Sequence, residues 1–140
     1  MRFFLVEPEV AGGLGEKTVM DSSIHPPKIQ SLEYVFDGWS GDVLLTSFPA
    51  YIVTSKAREI LERFHASGIS FAGVDILKSE TFNEFFPEKE LPEFFWMKVE
   101  GTAGQDDFGL APNLRLVISG RALDELVKLR LSEAVVSAYE

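Results

Sequence analysis

The stretch Tyr51-Ile52-Val53-Thr54-Ser55-Lys56-Ala57-Arg58-Glu59-Ile60-Leu61-Glu62-Arg63-Phe64 decides the fold. Tyr51 to Val53 is a short apolar, β-branched run, and Thr54 or Ser55 follows as a helix cap. Ala57, Ile60, Leu61 and Phe64 then recur at helical spacing until Gly68 ends the helix. Sixty-five positions later Leu116-Val117-Ile118 leads into Ser119 as cap and on to Ala122, Leu126 and Leu129. Residue character is kept at ten of fourteen aligned places, with Lys56 answered by Arg121, Glu59 by Asp124 and Arg63 by Lys128. Ala134 to Tyr139 supplies a following strand. Duplication of one strand-cap-helix-strand unit produces this pattern. So does convergence, because each helix needs only a Leu/Phe stripe to bury against a sheet. Under either origin both helices are expected to cover sheet faces.

Around these units, Arg2 to Glu7 reads as an opening strand and Pro8 to Pro27 as a long glycine-bearing loop. Leu32 to Phe36 reads as a strand that stops at Asp37-Gly38. Asp42 to Ser47 reads as one helical turn before Pro49. Phe71 to Leu77 suggests a strand with Gly73 as a bulge. Thr81 to Phe86 suggests a short helix ending near Pro87, and Phe94 to Glu100 a strand buried on both faces, with Trp96 in the core. Gly101 to Asn113 is a polar loop. The expected fold is α+β, one domain over residues 1–140 with a mixed or mainly antiparallel sheet and two principal helices.

A chain of 140 residues that is 46% hydrophobic, with twelve Phe and two Trp, can build a core without a covalent staple. It has no cysteine, which excludes disulfides, thiolate metal sites and a Cys nucleophile. The apolar opening Phe3 to Val6 is too short for a signal-peptide core and no run approaches a membrane span, so a cytoplasmic location is expected. The net charge of −9, without any dense Lys/Arg cluster, disfavours nucleic acid and anionic lipid as partners. The same field attracts a basic protein, although solubility alone also accounts for it.

Gly13-Leu14-Gly15-Glu16-Lys17-Thr18 looks like a phosphate loop until Glu16 is noticed where the motif needs Gly before Lys, and no helix follows. Neither His25 nor His65 has a neighbour at metal-ligand spacing, and both read as surface residues. No cofactor or metal is expected. Gly104-Gln105-Asp106-Asp107-Phe108-Gly109 sets two carboxylates between glycines, without the alternating oxygen ligands of a calcium loop. Its plainest reading is a solvated loop, and its functional reading is a contact for a cationic partner. Asp37-Gly38-Trp39-Ser40-Gly41-Asp42 places a Trp between acids, either folded back over the core or exposed as an interface anchor.

The chain resembles a bacterial group of small α+β immunity proteins encoded in polymorphic toxin loci. The resemblance is carried by Phe3-Phe4-Leu5-Val6-Glu7-Pro8-Glu9, Tyr34-Val35-Phe36-Asp37-Gly38-Trp39, Phe48-Pro49-Ala50-Tyr51-Ile52-Val53-Thr54, the loop 104–109 and Leu116-Val117-Ile118-Ser119. It implies neutralisation of a cognate toxin by binding, with no catalytic motif to carry over. The leading expectation is a protein inhibitor, monomeric or dimeric, that docks a basic toxin through Asp37, Trp39, Asp42, Gln105, Asp106 and Asp107. Its rivals are a hydrolase that gathers Glu100, Asp106 and Asp107 in a cleft, and a non-catalytic oligomeric scaffold.

Overall fold

The computed structural model describes residues 2–140. In chain order the elements are β1 (Phe3–Glu7), β2 (Gly12–Leu14), β3 (Val19–Asp21), β4 (Lys28–Ser31), β5 (Glu33–Phe36), β6 (Leu44–Ser47), β7 (Ala50–Thr54) and α1 (Ser55–Arg63). There follow β8 (Ile69–Ala72), β9 (Asp75–Lys78), α2 (Glu80–Phe85), β10 (Phe94–Val99), β11 (Phe108–Leu110), β12 (Leu116–Ser119), α3 (Gly120–Leu129) and β13 (Val135–Tyr139). The fold is α+β and dominated by antiparallel pairing, with β5 and β9 as the parallel pair among the named strands. No helix among the described residues is long and apolar enough to cross a membrane.

The two strand-cap-helix units form as the spacing predicts. Thr54 Oγ1 accepts from Ala57 N at 3.2 Å and Ser119 Oγ accepts from Ala122 N at 3.3 Å. Each cap satisfies one of the unpaired amides of a helix start, a contribution of about 1 kcal/mol. The units do not share a sheet. β7 lies in the sheet β6-β7-β10-β8, and β12 in the sheet β11-β12-β1-β13. The helices meet between these sheets, where Ala57 and Leu61 of α1 and Ala122, Leu123 and Leu126 of α3 join one buried cluster.

The β6-β7-β10-β8 sheet divides the molecule into two cores, because successive side chains of a strand leave opposite faces. Leu44, Val53 and Met97 point into the first core with the helices, whereas Leu45, Ile52 and Trp96 point into the second. In the second core Phe82 of α2 packs with a chain of aromatic rings. Tyr34 and Phe36 have centroids 4.8 Å apart, and Phe36 and Phe94 5.0 Å apart. Tyr34 also ties this core's edges, its hydroxyl donating to Thr46 O at 3.0 Å and accepting from Ala11 N at 3.1 Å.

Three expectations are corrected. Residues 42–47 are not a helical turn, since Leu44 and Leu45 are both buried and feed opposite cores, which a strand permits and one helical turn does not. Gly73 is not a bulge but part of the crossing from β8, paired antiparallel with β10, to β9, paired parallel with β5. The segment 8–27 is not all loop. β2 pairs with β5 and β3 with β4. The glycine at 12 makes the first pairing possible, because a Cβ there runs into the Val35 carbonyl oxygen, while a Cβ at Gly13 meets nothing within 4 Å.

Gly12→Ala is therefore expected to cost about 2–3 kcal/mol in overpacking. Gly13→Ala is expected to be near neutral. Chemical denaturation of the two variants checks the contrast.

Candidate functional site

The acidic residues singled out in the sequence separate into two places. Asp107 is 4% exposed and its carboxylate gathers three partner residues. Arg121 reaches it in fork geometry, Nε to Oδ1 at 2.8 Å and Nη2 to Oδ2 at 2.6 Å. Ser119 Oγ donates to Oδ1 at 2.6 Å, and Ser67 N donates to Oδ2 at 2.9 Å. Ser67 lies just past α1 and Ser119 is the cap of α3, so one carboxylate joins the two helical units. The Arg121 hydrogen bonds hold the Asp107 carboxyl well below the usual carboxylate range, against the opposing effect of its burial, and the donors Ser119 and Ser67 add to the lowering.

Asp42 is fully buried and serves the other end of α3. It accepts from Ser132 N at 3.0 Å, from Glu133 N at 2.9 Å and from Ser132 Oγ at 3.2 Å, with Arg130 Nε 3.9 Å away. Ten helical residues separate the Asp107 and Asp42 ends, roughly 15 Å at the ordinary rise per residue. The single docking face expected from Asp37, Trp39, Asp42, Gln105, Asp106 and Asp107 is therefore not formed. Asp42 and Asp107 face inward, each filled by donors. Asp106 Oδ2 accepts from Thr102 N at 2.7 Å to close its own turn, Gln105 is exposed, and both lie at the Asp107 end.

The carboxylates named for a hydrolase are each engaged by the protein's own donors. Glu100 Oε1 accepts from Ser70 Oγ at 2.7 Å, Asp106 from its own turn, and Asp107 from Arg121. The glycine loop 13–18 is closed over Glu33, which is 4% exposed. Glu33 Oε1 accepts from Lys17 N at 3.2 Å, and its main chain exchanges hydrogen bonds with Thr18 Oγ1 at 3.0 Å. A carboxylate thus occupies the loop where a phosphate loop holds its ligand.

Asp37 and Trp39 do come together, and with residues the sequence reading passed over. They line a groove of about 590 Å³ with Glu9, Val10, Phe86 and Lys89. Trp39 is half-buried. Its Nε1 donates to Asp42 O at 2.9 Å and its ring meets Phe94 edge-on at 5.9 Å, so it caps the second core while one side faces the groove. Val10 is 65% exposed, and Phe85 and Phe86 are 68% and 41% exposed.

From Asp75 to Glu93 the chain carries six carboxylates and two lysines. Both lysines are turned onto the protein. Lys89 Nζ donates to Trp39 O and sits 5.5 Å from the centroid of Phe86, while Lys78 Nζ donates to Lys89 O at 2.8 Å and lies over Phe82. Asp75, Glu80, Glu84, Glu88, Glu90 and Glu93 are all exposed, and none takes part in an ion pair among the described residues. A signal for this surface was present in Glu84-Phe85-Phe86-Pro87-Glu88-Lys89-Glu90. One Phe, Phe82, suffices for the buried stripe of α2, which leaves two aromatics among glutamates without a core role.

No protein-family model matches the chain, and a comparison with curated proteins returns no match.

Asp107→Ala is expected to lower stability by about 3 kcal/mol, the low end for breaking a buried pair, because the Arg121 side chain left behind is 52% exposed. A carboxyl with a depressed folded-state pKa stabilises above its unfolded value near 4, and that contribution is lost as pH falls below it. Wild type should lose stability between pH 5 and pH 2 more steeply than Asp107→Asn, as urea titrations across that range will read.

Proposed function

We propose that this chain is an immunity-type protein that binds and neutralises a cognate bacterial toxin, and that it docks a basic face of that toxin. One observation carries the reading: an apolar groove built on Val10, Trp39 and Phe86 also holds the exposed Asp37, with exposed Glu84, Glu88 and Glu90 on the chain beside Phe86, while the nearby lysines are consumed by the protein's own aromatics and carbonyls. Aromatic anchors within a charged rim are the composition of a binding hot spot. The net charge of −9 steers a cationic partner toward the molecule from a distance. The resemblance to immunity proteins of polymorphic toxin loci supplies the class of partner. Relative to the face expected from sequence, the proposed surface keeps Asp37 and Trp39, drops Asp42, Gln105, Asp106 and Asp107, and gains Phe85, Phe86 and the glutamates around them.

The test is to co-express the chain with the toxin encoded beside its gene and to measure association of the purified pair. Growth rescue and a co-eluting complex are expected, with an association rate that falls about tenfold or more between low and physiological salt. Phe86→Ala combined with Glu88→Lys and Glu90→Lys should weaken the complex at least tenfold without unfolding the chain, since all three positions are exposed. Independent elution of the two proteins would overturn the reading.

A further inference from the structure

We infer that β13 is a self-association edge, through which two copies of this chain join their β11-β12-β1-β13 sheets by antiparallel pairing about a two-fold axis at Ser137. β13 pairs with β1 on one side and ends its sheet on the other, leaving a row of unpaired backbone donors and acceptors. Such an edge is a template for another strand unless a charge, a proline, a bulge or a covering segment blunts it.

The remaining edges of the fold are blunted. Thr102 bridges Leu110 beside β11, and Glu9 bridges Leu45 beside β6. β9 carries Asp75 and Lys78 at its two ends, β2 is three residues long with two glycines, and β8 is half-buried throughout. The β3-β4 hairpin is short, bulged and charged at Asp21 and Lys28. β13 has none of these devices. Its five residues, Val135-Val136-Ser137-Ala138-Tyr139, are uncharged and free of proline, and their pairing with β1 runs without a register shift. Val135 is 63% and Val136 42% exposed, two adjacent apolar side chains on this edge strand.

The occupant follows from the sequence of the edge itself. A two-fold pairing centred on Ser137 sets Val135 against Tyr139 and Val136 against Ala138. These are apolar pairs, one of them aromatic with β-branched, and no charged residue falls inside the ladder. For a chain of net charge −9 meeting its own copy, a strand without carboxylates is the segment where contact is least opposed. Self-pairing must also respond to salt in the opposite sense from docking of a basic toxin, since added ions screen repulsion between like-charged copies.

Sedimentation velocity on the full chain at rising protein concentration, in low and in high salt, tests the inference. A monomer–dimer equilibrium that tightens with salt is expected. Ser137→Glu and Ser137→Lys each place like charges face to face across the axis, and each should weaken self-association about tenfold or more. An equimolar mixture of the two variants should recover the dimer, because Glu then faces Lys. Ser137 is exposed, and circular dichroism of each variant alone checks that the fold is kept. A wild-type chain that stays monomeric at every salt concentration, a dimer indifferent to both substitutions, or a mixture that fails to recover it would each overturn the inference.

Discussion

The buried carboxylate of Asp107 is the joint on which the rest of the molecule turns. Two helices that cap different sheets have no covalent reason to keep a fixed relation, and their contact is a modest apolar patch. Asp107 supplies direction to that patch by taking one donor from the end of the first unit and two from the start of the second. Ser119 is doubly used, as an acceptor for its helix and as a donor to the joint, so the start of α3 and the loop before β11 are positioned by the same hydroxyl. The fork of Arg121 then completes the charge balance from the solvent side, where its guanidinium also rests 5.0 Å above the Phe64 ring at the end of α1.

The sheet that separates the two cores explains why neighbouring residues carry such different duties. Tyr51, Val53 and Phe95 attend to the helical side, while Ile52, Phe94 and Trp96 attend to the aromatic side. A wall buried on both faces must read as nearly continuous apolar sequence, and Phe94 to Met97 does. The groove at Trp39 is a by-product of the second core. Its rings pack around Phe36 and Phe94, and Phe86, edge-on to Phe82, is left at the groove's rim.

Where periodicity and caps agree, the sequence is a faithful guide. Both long helices, their Thr and Ser caps and the strands before them follow from the spacing of a few apolar residues. Legibility fails where a residue's duty is set across the chain. Asp107 and Asp42 look like solvated loop acids because their donors lie 14 and 90 positions away, at Arg121 and Ser132. Gly12 looks like a loop residue because the carbonyl it must clear belongs to Val35. The helical turn expected at residues 42–47 fails for a related reason: two adjacent leucines carry no period, and only the existence of a second core tells them apart.

The closed glycine turn above Glu33 has a consequence of its own. Cradles of small residues and free amides are commonly places where a protein meets soluble anions, yet here the guest is a side chain of the host. The turn is thereby made a fastening between the first and second strands of its sheet. An opening that in other settings would be a door has become a hinge pin.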